Sequence, residues 1–108
     1  MSGRVITVTV DRPLGSFHPE HPDLYYPINY GFVKGVNAPD GEEQDAYILG
    51  VDVPAAEFTG VLAAVIHRYD DAEEKWVVVP EGMRFSAEEI KALTEFQEKY
   101  FDSEIRMV

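Results

Sequence analysis

The side chains with the clearest chemistry surround a glycine turn in the stretch APDGEEQDAYILG, residues 38 to 50. They are Asp40, Glu42 and Asp45, and the apolar run after them predicts a buried strand. Carboxylates that lie close together raise one another's pKa unless a cation neutralises them. Oxygen ligands of this kind suit Mg²⁺ or Mn²⁺. The pattern leaves two interpretations open, a divalent-metal site and a solvated acidic turn.

A second acidic group follows in the stretch DDAEEK, which contains Asp70, Asp71 and Glu73 and ends at Lys75. Its place between two predicted strands is that of a hairpin tip, where charges are solvated at little cost. Two acidic loops at strand ends can also meet at one site. The second group therefore favours a metal centre without excluding a solvated hairpin.

Two histidines in the stretch HPEHPD, His18 and His21, have a spacing that metal sites sometimes use. The surrounding segment is rich in proline and the chain has no cysteine. These features favour the interpretation that both histidines are ordinary surface residues.

Composition narrows the range of partners. The 108 residues include 20 Asp and Glu against 9 Lys and Arg, which gives a formal net charge of -11. Duplex nucleic acid is therefore an unfavourable partner, because its binding needs a basic footprint. The lack of cysteine excludes disulfides and Cys-ligated zinc. We expect a single domain over residues 1–108, no membrane partner and a cytoplasmic location, since we find neither a membrane-spanning apolar window nor the apolar block of a signal peptide.

Five strands are predicted from β-branched and aromatic residues, from alternation and from short apolar runs. They cover residues 5–10, 29–34, 45–51, 61–68 and 75–79. The prolines and the glycine between residues 11 and 27 predict an ordered or extended loop, and residues 35–41 predict a turn.

One helix is predicted at the motif SAEE, where Ser86 and Glu89 form a capping box. Apolar residues follow at helical spacing and give the helix one apolar face: Ile90, Leu93, Phe96 and Tyr100. A small chain that consists mainly of strands must close or cover its sheet edges. We therefore predict a mainly β (α+β) fold, a small closed OB-like five-stranded β-barrel with the C-terminal helix packed against it.

The stretch YYPINYGFVKGVNAPDGEEQD resembles the signature region of the soluble family I inorganic pyrophosphatases, in which a YP.NYG strand leads through a short turn into DGDPVDVLV. The resemblance continues in GVLAAVIHRYDDAEEKWVVVP and in LTEFQEKYFDSEI, and covers residues 25 to 105. It implies an inorganic diphosphatase, which hydrolyses pyrophosphate to two orthophosphates with metal-activated water. It also implies Mg²⁺ as cofactor, with Mn²⁺ as a substitute, pyrophosphate bound as its metal complex, and assembly as a homo-oligomer.

The same resemblance implies roles for individual residues. The implied metal ligands are Asp40, Asp45, Asp70, Asp71 and Glu73. The implied catalytic residues are Glu42, at the position linked to the water nucleophile, with Asp45 and Tyr30. The implied substrate-binding residues are Lys75 and Tyr100, with Arg12 standing in for a family arginine and Lys34 adding positive charge.

Three differences from the family pattern leave a second function open. Glu42 stands where the family has aspartate, and Phe101 stands where it has lysine after the helix tyrosine. The N-terminal hairpin, which supplies another lysine and an arginine in the family, is replaced by DRPLGSFHPEHPDL. The alternative function is a non-catalytic pyrophosphatase-like module that binds a metal, another phosphorylated ligand or a protein partner.

Overall fold

The structure, a computed structural model, describes residues 4–39, 41–69 and 73–108. This part of the chain forms six strands and one helix. In chain order they are β1 (Val5–Arg12), β2 (Asn29–Asn37), β3 (Glu43–Ile48), β4 (Glu57–Arg68), β5 (Glu74–Val79), α1 (Ala87–Glu98) and β6 (Ser103–Met107).

The first five strands close into a barrel. Their order is β1-β2-β3-β5-β4, and β1 also pairs with β4 to complete the ring. All pairs are antiparallel except β3 with β5, which run parallel. Closure pairs both sides of these strands, so the ring has no open edge. The predicted closed five-stranded barrel with a C-terminal helix is confirmed.

A sixth strand, β6, was not predicted. It pairs antiparallel with β4 outside the closed ring. Its first three residues belong to the C-terminal stretch that resembles a helical motif, but the helix ends before them. The pairing is non-local, and a five-residue segment gives little local signal for it.

The two faces of the barrel strands pack into separate apolar clusters. Ile6 and Val8 of β1 are buried inside the ring, whereas Val5 and Thr7, which alternate with them along the strand, are exposed. The inner cluster contains Ile6, Val8, Val33, Ala46, Ile48, Trp76 and Val78. The outer cluster covers the opposite face of the other four strands and includes Ile90 of α1 and Tyr26 of the loop before β2. The helix and this loop therefore lie on the outer face of the barrel.

The helix begins at the predicted capping box. The Ser86 Oγ accepts a hydrogen bond from the Glu89 amide at 3.1 Å, and the Glu89 carboxylate accepts one from the Ser86 amide at 2.8 Å. The predicted apolar face is wrong in part, because Leu93 is 38% exposed and Tyr100 lies beyond the helix end with 66% exposure. Polar residues are buried instead, namely Thr94, Gln97 and Glu98. The end of the helix faces polar groups of the barrel, so its buried side is mixed in character.

Several strand ends differ from their predicted positions. Strand β1 continues to Arg12 and β2 to Asn37, whereas β3 begins at Glu43 and ends at Ile48. The chain turns after β3 at Gly50, whose φ of +84° is unfavourable for residues with a side chain. The segment between β1 and β2, residues 13–28, is called the proline-rich loop below. It is ordered by an isolated bridge between Phe17 and Tyr25, as expected of an extended loop.

Within the described residues, the only helix is too short and too polar to cross a lipid bilayer.

Candidate functional site

A cavity of about 630 Å³ opens on the outer face of the barrel. Its volume lies within the range of about 300–1,000 Å³ that is typical of small-molecule sites. The strands β2 to β5 contribute Tyr30, Asp45, Arg68 and Lys75, and Glu73 lies directly before β5. The end of β1 and the proline-rich loop contribute Arg12, His18, His21, Asp23 and Leu24. The end of the helix and the turn after it contribute Gln97, Tyr100 and Phe101.

The parallel pairing of β3 with β5 sets Asp45 beside Lys75 on the cavity wall. The Lys75 Nζ lies 2.5 Å from Asp45 Oδ2 and 3.4 Å from Glu73 Oε1. The lysine is only 3% exposed, so its charge has lost most of its water and depends on these carboxylates. An acid and a base that are far apart in sequence thus meet as neighbours in the sheet.

Tyr30 of β2 completes this part of the wall. Its hydroxyl is close enough to the Asp45 carboxylate for that charge to act on it, and the Lys75 Nζ lies 5.8 Å from the centre of its ring. Burial raises the pKa of Tyr30 well above its usual range, and the negative charge of Asp45 raises it further. The side chain is therefore a neutral hydrogen-bond donor at physiological pH.

Arg68 forms the second buried ion-pair group. Its Nε and Nη2 donate to the two oxygens of Glu98 at 3.1 and 2.6 Å, and its Nη1 donates to Glu73 at 2.7 Å. Its Cζ lies 3.7 Å from the centre of the Phe101 ring. Burial works against the charge, but the hydrogen bond and charge of Glu98 outweigh it and raise the pKa of Arg68. A permanent cation is therefore held at the cavity wall between β4, the start of β5 and the helix end.

A row of hydrogen bonds links this arginine to the other side of the cavity. The Tyr47 hydroxyl donates to Glu98 at 2.5 Å and accepts from Gln97 Nε2 at 2.7 Å. The Tyr26 hydroxyl donates to Gln97 Oε1 at 2.8 Å and accepts from Arg12 Nη1 at 3.1 Å. Burial, followed by the charge of Glu98, raises the pKa of Tyr47 well above its usual range. These buried polar side chains fix one another and hold the cavity wall rigid.

The proline-rich loop carries both histidines to the cavity. The rings of His18 and His21 lie 4.7 Å apart between their centres. His18 is half-buried, and burial, then the nearby Arg12 charge, lowers its pKa. The interpretation as ordinary surface residues is therefore incomplete: His21 is exposed, but it lines the same cavity as His18.

The structure brings together about half of the residues predicted for the site. Those that line the cavity are Arg12, Tyr30, Asp45, Glu73, Lys75 and Tyr100. Glu42 and Lys34 are exposed, and neither belongs to the cavity lining of the described chain. Asp40, Asp70 and Asp71 lie outside the described residues. The catalytic and metal-binding roles assigned to these residues stay predictions.

Sequence reasoning missed Arg68 and Gln97 as cavity residues. One signal for Arg68 was available. It is the last residue of β4 and lies on the same face as the buried Ala64 and Ile66. A charged side chain on a buried face needs a partner of opposite charge. Gln97 gave no comparable signal, because a helical glutamine is ordinarily exposed.

The donors for a divalent metal are present only in part within the described residues. In residues 4–39, 41–69 and 73–108, no three His, Asp or Glu side chains converge to form a metal site. The carboxylates of Asp45 and Glu73 have the right chemistry for Mg²⁺, and both contact Lys75. A complete site therefore needs oxygen donors beyond these two carboxylates.

Comparison with solved structures identifies the fold. No family model matches the sequence, and no curated protein matches it. An inorganic pyrophosphatase from Ehrlichia chaffeensis superposes with a TM-score of 0.74 at 21% identity, over 100% of this chain and 88% of that one. The chain has the fold of the inorganic pyrophosphatases.

Two further pyrophosphatases support this identification. The enzyme from Coxiella burnetii matches with a TM-score of 0.64 at 18% identity, over 99% of this chain and 85% of that one. The enzyme from Helicobacter pylori matches with a TM-score of 0.64 at 20% identity, over 97% of this chain and 82% of that one. The resemblance inferred from the motifs is thus confirmed at the level of the pyrophosphatase fold.

Proposed function

We propose that the chain is an inorganic diphosphatase, which hydrolyses pyrophosphate to two orthophosphates in this cavity with Mg²⁺ or Mn²⁺. The observation that carries the proposal is the meeting of Asp45, Lys75 and Tyr30 in one cavity of a pyrophosphatase fold. These three residues came from the motif resemblance, and β2, β3 and β5 bring them together on one face. Pyrophosphate is the substrate named by the fold neighbours, and we extend it to this chain as a proposal.

The proposed metal ligands are Asp45 and Glu73, together with the predicted acids Asp40, Asp70 and Asp71. A bound divalent ion would neutralise phosphoryl charge and lower the pKa of a water molecule. The side chains of the chain itself bind and orient the substrate around it. In this scheme Lys75 and Arg12 contact phosphoryl oxygens, and Tyr30 holds the Asp45 carboxylate in position.

The Asp45–Lys75 ion pair suggests how substrate enters. Each partner is the natural ligand for one component of a metal–pyrophosphate complex, since a carboxylate binds the cation and an ammonium binds the phosphate. Binding of the complex replaces this ion pair, in which Lys75 is buried and Asp45 is partly exposed, by two charge-matched contacts. As Asp45 and Lys75 separate, the metal ion of the substrate therefore neutralises the carboxylate and its phosphate neutralises the ammonium.

A non-catalytic, pyrophosphatase-like module that binds a phosphorylated ligand is the second candidate. Two observations favour it: Glu42 is exposed and outside the cavity lining, and Phe101 occupies the lining where the family pattern has lysine. A missing water-orienting group would abolish turnover, whereas the cations of the cavity would still bind phosphate.

The deciding experiment is orthophosphate release from pyrophosphate by the full chain with Mg²⁺, with Mn²⁺ and with a chelator. We expect metal-dependent turnover that falls by about 100-fold or more in Asp45→Asn. Asp52→Asn is the matched control, because Asp52 is exposed and outside the cavity lining. Binding of pyrophosphate without turnover would support the second candidate. Absence of both binding and turnover would overturn the two proposals together.

A further inference from the structure

Three nitrogen-bearing side chains line one side of the cavity: Arg12 at the end of β1, and His18 and His21 of the proline-rich loop. We propose that His18 and His21, next to Arg12, form a phosphate subsite that binds a phosphoryl group of the ligand. The inference rests on the proposed function for its choice of a phosphorylated ligand. It does not require that the ligand be hydrolysed.

The charge of Arg12 is the least compensated among the cations that line the cavity. Lys75 and Arg68 are each paired with carboxylates at 3.4 Å or less. Within the described residues, Arg12 makes no ion pair at contact distance: its guanidinium donates to the neutral hydroxyl of Tyr26, lies 5.8 Å from the ring centres of Tyr26 and Tyr30, and feels the charge of the neighbouring Asp11 without contacting it. The Arg12 guanidinium can therefore pair with an anion that enters the cavity without first breaking an ion pair.

His18 is oriented as a hydrogen-bond donor. Its Nδ1 accepts a hydrogen bond from the Glu20 amide at 3.0 Å, so the neutral ring carries its proton on Nε2. The ring is near-parallel to that of Tyr26, with a plane angle of 22° and centres 6.5 Å apart, and it contacts His21 on another side. The Nε2–H is thus a hydrogen-bond donor on a ring that lines the cavity, and the neighbouring His21 ring adds a second imidazole.

The loop is ordered before any ligand binds. The Gly15 amide donates to the Tyr26 carbonyl at 2.8 Å, and the His18 amide donates to the Leu24 carbonyl at 2.9 Å. The Leu14 amide donates to Asn29 Oδ1 at 2.9 Å, which ties the loop to the first residue of β2. Because the histidines already stand in the wall, binding requires little further ordering of the chain.

The subsite compensates for cations that the family pattern has and this chain lacks. The N-terminal hairpin lysine is absent, and Phe101 replaces the lysine after the helix tyrosine. The lining contains three carboxylates, Asp23, Asp45 and Glu73, which balance its three permanent cations. A doubly charged phosphoryl group therefore needs additional donors, and the two imidazoles supply them.

The test measures binding with probes that cannot be hydrolysed. Methylenediphosphonate and inorganic phosphate are titrated into the full chain by calorimetry, with and without Mg²⁺. We expect His18→Ala and His21→Ala each to weaken methylenediphosphonate binding by about tenfold. His67→Ala is the matched control, because His67 is paired with Glu74 and lies outside the cavity lining. This variant should bind methylenediphosphonate with the same affinity as the natural chain.

A second measurement needs no substitution and covers the case of a variant that fails to fold. The chain has three histidines, so their imidazole nitrogen resonances can be followed separately during the same titration. We expect the His18 and His21 signals to shift to saturation and the His67 signal to stay in place. Unmoved His18 and His21 signals, unchanged affinity in both alanine variants, or no binding by the natural chain would each overturn the subsite.

These outcomes separate the subsite from the proposed hydrolysis. If the natural chain binds methylenediphosphonate through the histidines but releases no orthophosphate from pyrophosphate, the subsite stands and the diphosphatase proposal fails. If the natural chain hydrolyses pyrophosphate and both alanine variants do so with unchanged KM, hydrolysis stands and the subsite fails.

Discussion

The Cζ atom of Arg68 lies 3.7 Å from the centre of the Phe101 ring. In sequence, Phe101 occupies the position at which the pyrophosphatase pattern has lysine. Its ring packs against the guanidinium of Arg68 from β4. Such contacts contribute about 0.5–2 kcal/mol, more when the cation is desolvated, and Arg68 is 3% exposed. The ring of Phe101 therefore helps to hold the Arg68 guanidinium of β4 at the cavity wall.

Replacing Phe101 tests this contact. We expect Phe101→Leu to lower the free energy of unfolding by about 1 kcal/mol, and Phe101→Lys to lower it further because two cations would then lie side by side. Urea unfolding followed by circular dichroism measures both. Phe17→Leu is the control, since Phe17 is 56% exposed and outside the cavity lining. A lysine variant as stable as the natural chain would contradict the role given to the ring.

The buried Arg68–Glu98 pair predicts strong non-additivity. Glu98→Leu or Arg68→Met alone leaves a buried charge with reduced compensation, at a cost of about 3–5 kcal/mol. The double variant removes both charges, so we expect its loss of stability to be well below the sum of the single losses. A four-protein cycle of urea unfolding measures the coupling. Additive losses would show that the two side chains are energetically independent.

The buried tyrosines predict a limit to stability at alkaline pH. Burial, and then the charges of Asp45 and Glu98, raises the pKa of Tyr30 and Tyr47 in the folded chain. Because the folded state favours their neutral form, this contribution is complete below the unfolded pKa of about 10 and is lost as pH rises above it. We expect both hydroxyls to ionise only as the chain unfolds. An alkaline titration that records the ultraviolet absorbance of ionised tyrosine together with circular dichroism measures this.

Tyr47→Phe checks that assignment, because it should remove one tyrosine from the absorbance change that accompanies unfolding. The chain has six tyrosines in all. Ionisation of all six while the circular dichroism stays native would show that Tyr30 and Tyr47 are accessible to hydroxide in the folded chain.

A lysine pair tests the phosphate contact in the proposed reaction. Lys75→Met removes the ammonium group beside Asp45, and we expect the KM for pyrophosphate to rise by about tenfold or more. Lys91→Met is the control, since Lys91 is exposed on the helix and outside this cavity. Equal kinetics for the two variants would remove Lys75 from the substrate-binding residues.

The parts of the fold that were predictable have local causes. Alternation in β1 and the capping box at Ser86 each depend on a few neighbouring residues, and both are found where the sequence indicates. The motif resemblance supplied the barrel residues of the cavity, Tyr30, Asp45 and Lys75. The motif resemblance could not predict the path of the proline-rich loop, because residue spacing does not determine which surface a loop between two strands packs against.

The helix was likewise predictable only where its structure depends on neighbouring residues. Its start was predictable, but Tyr100 was assigned to an apolar face that ends before it, at Glu98. Gln97 and Glu98 are buried because Tyr26, Tyr47 and Arg68 offer them partners across the barrel. That choice depends on tertiary contacts, which override the apolar periodicity of the helix.

The parallel pairing of β3 with β5 also has a consequence for the order of folding. Asp45 and Lys75 are 30 residues apart in the chain, and β4 lies between them in sequence but on the far side of β5. Such non-local pairing forms late and slowly, since a long loop must close before its contacts form. The cavity therefore appears only when the ring closes. A ligand held between Asp45 and Lys75 should slow unfolding of the chain while leaving its folding rate unchanged.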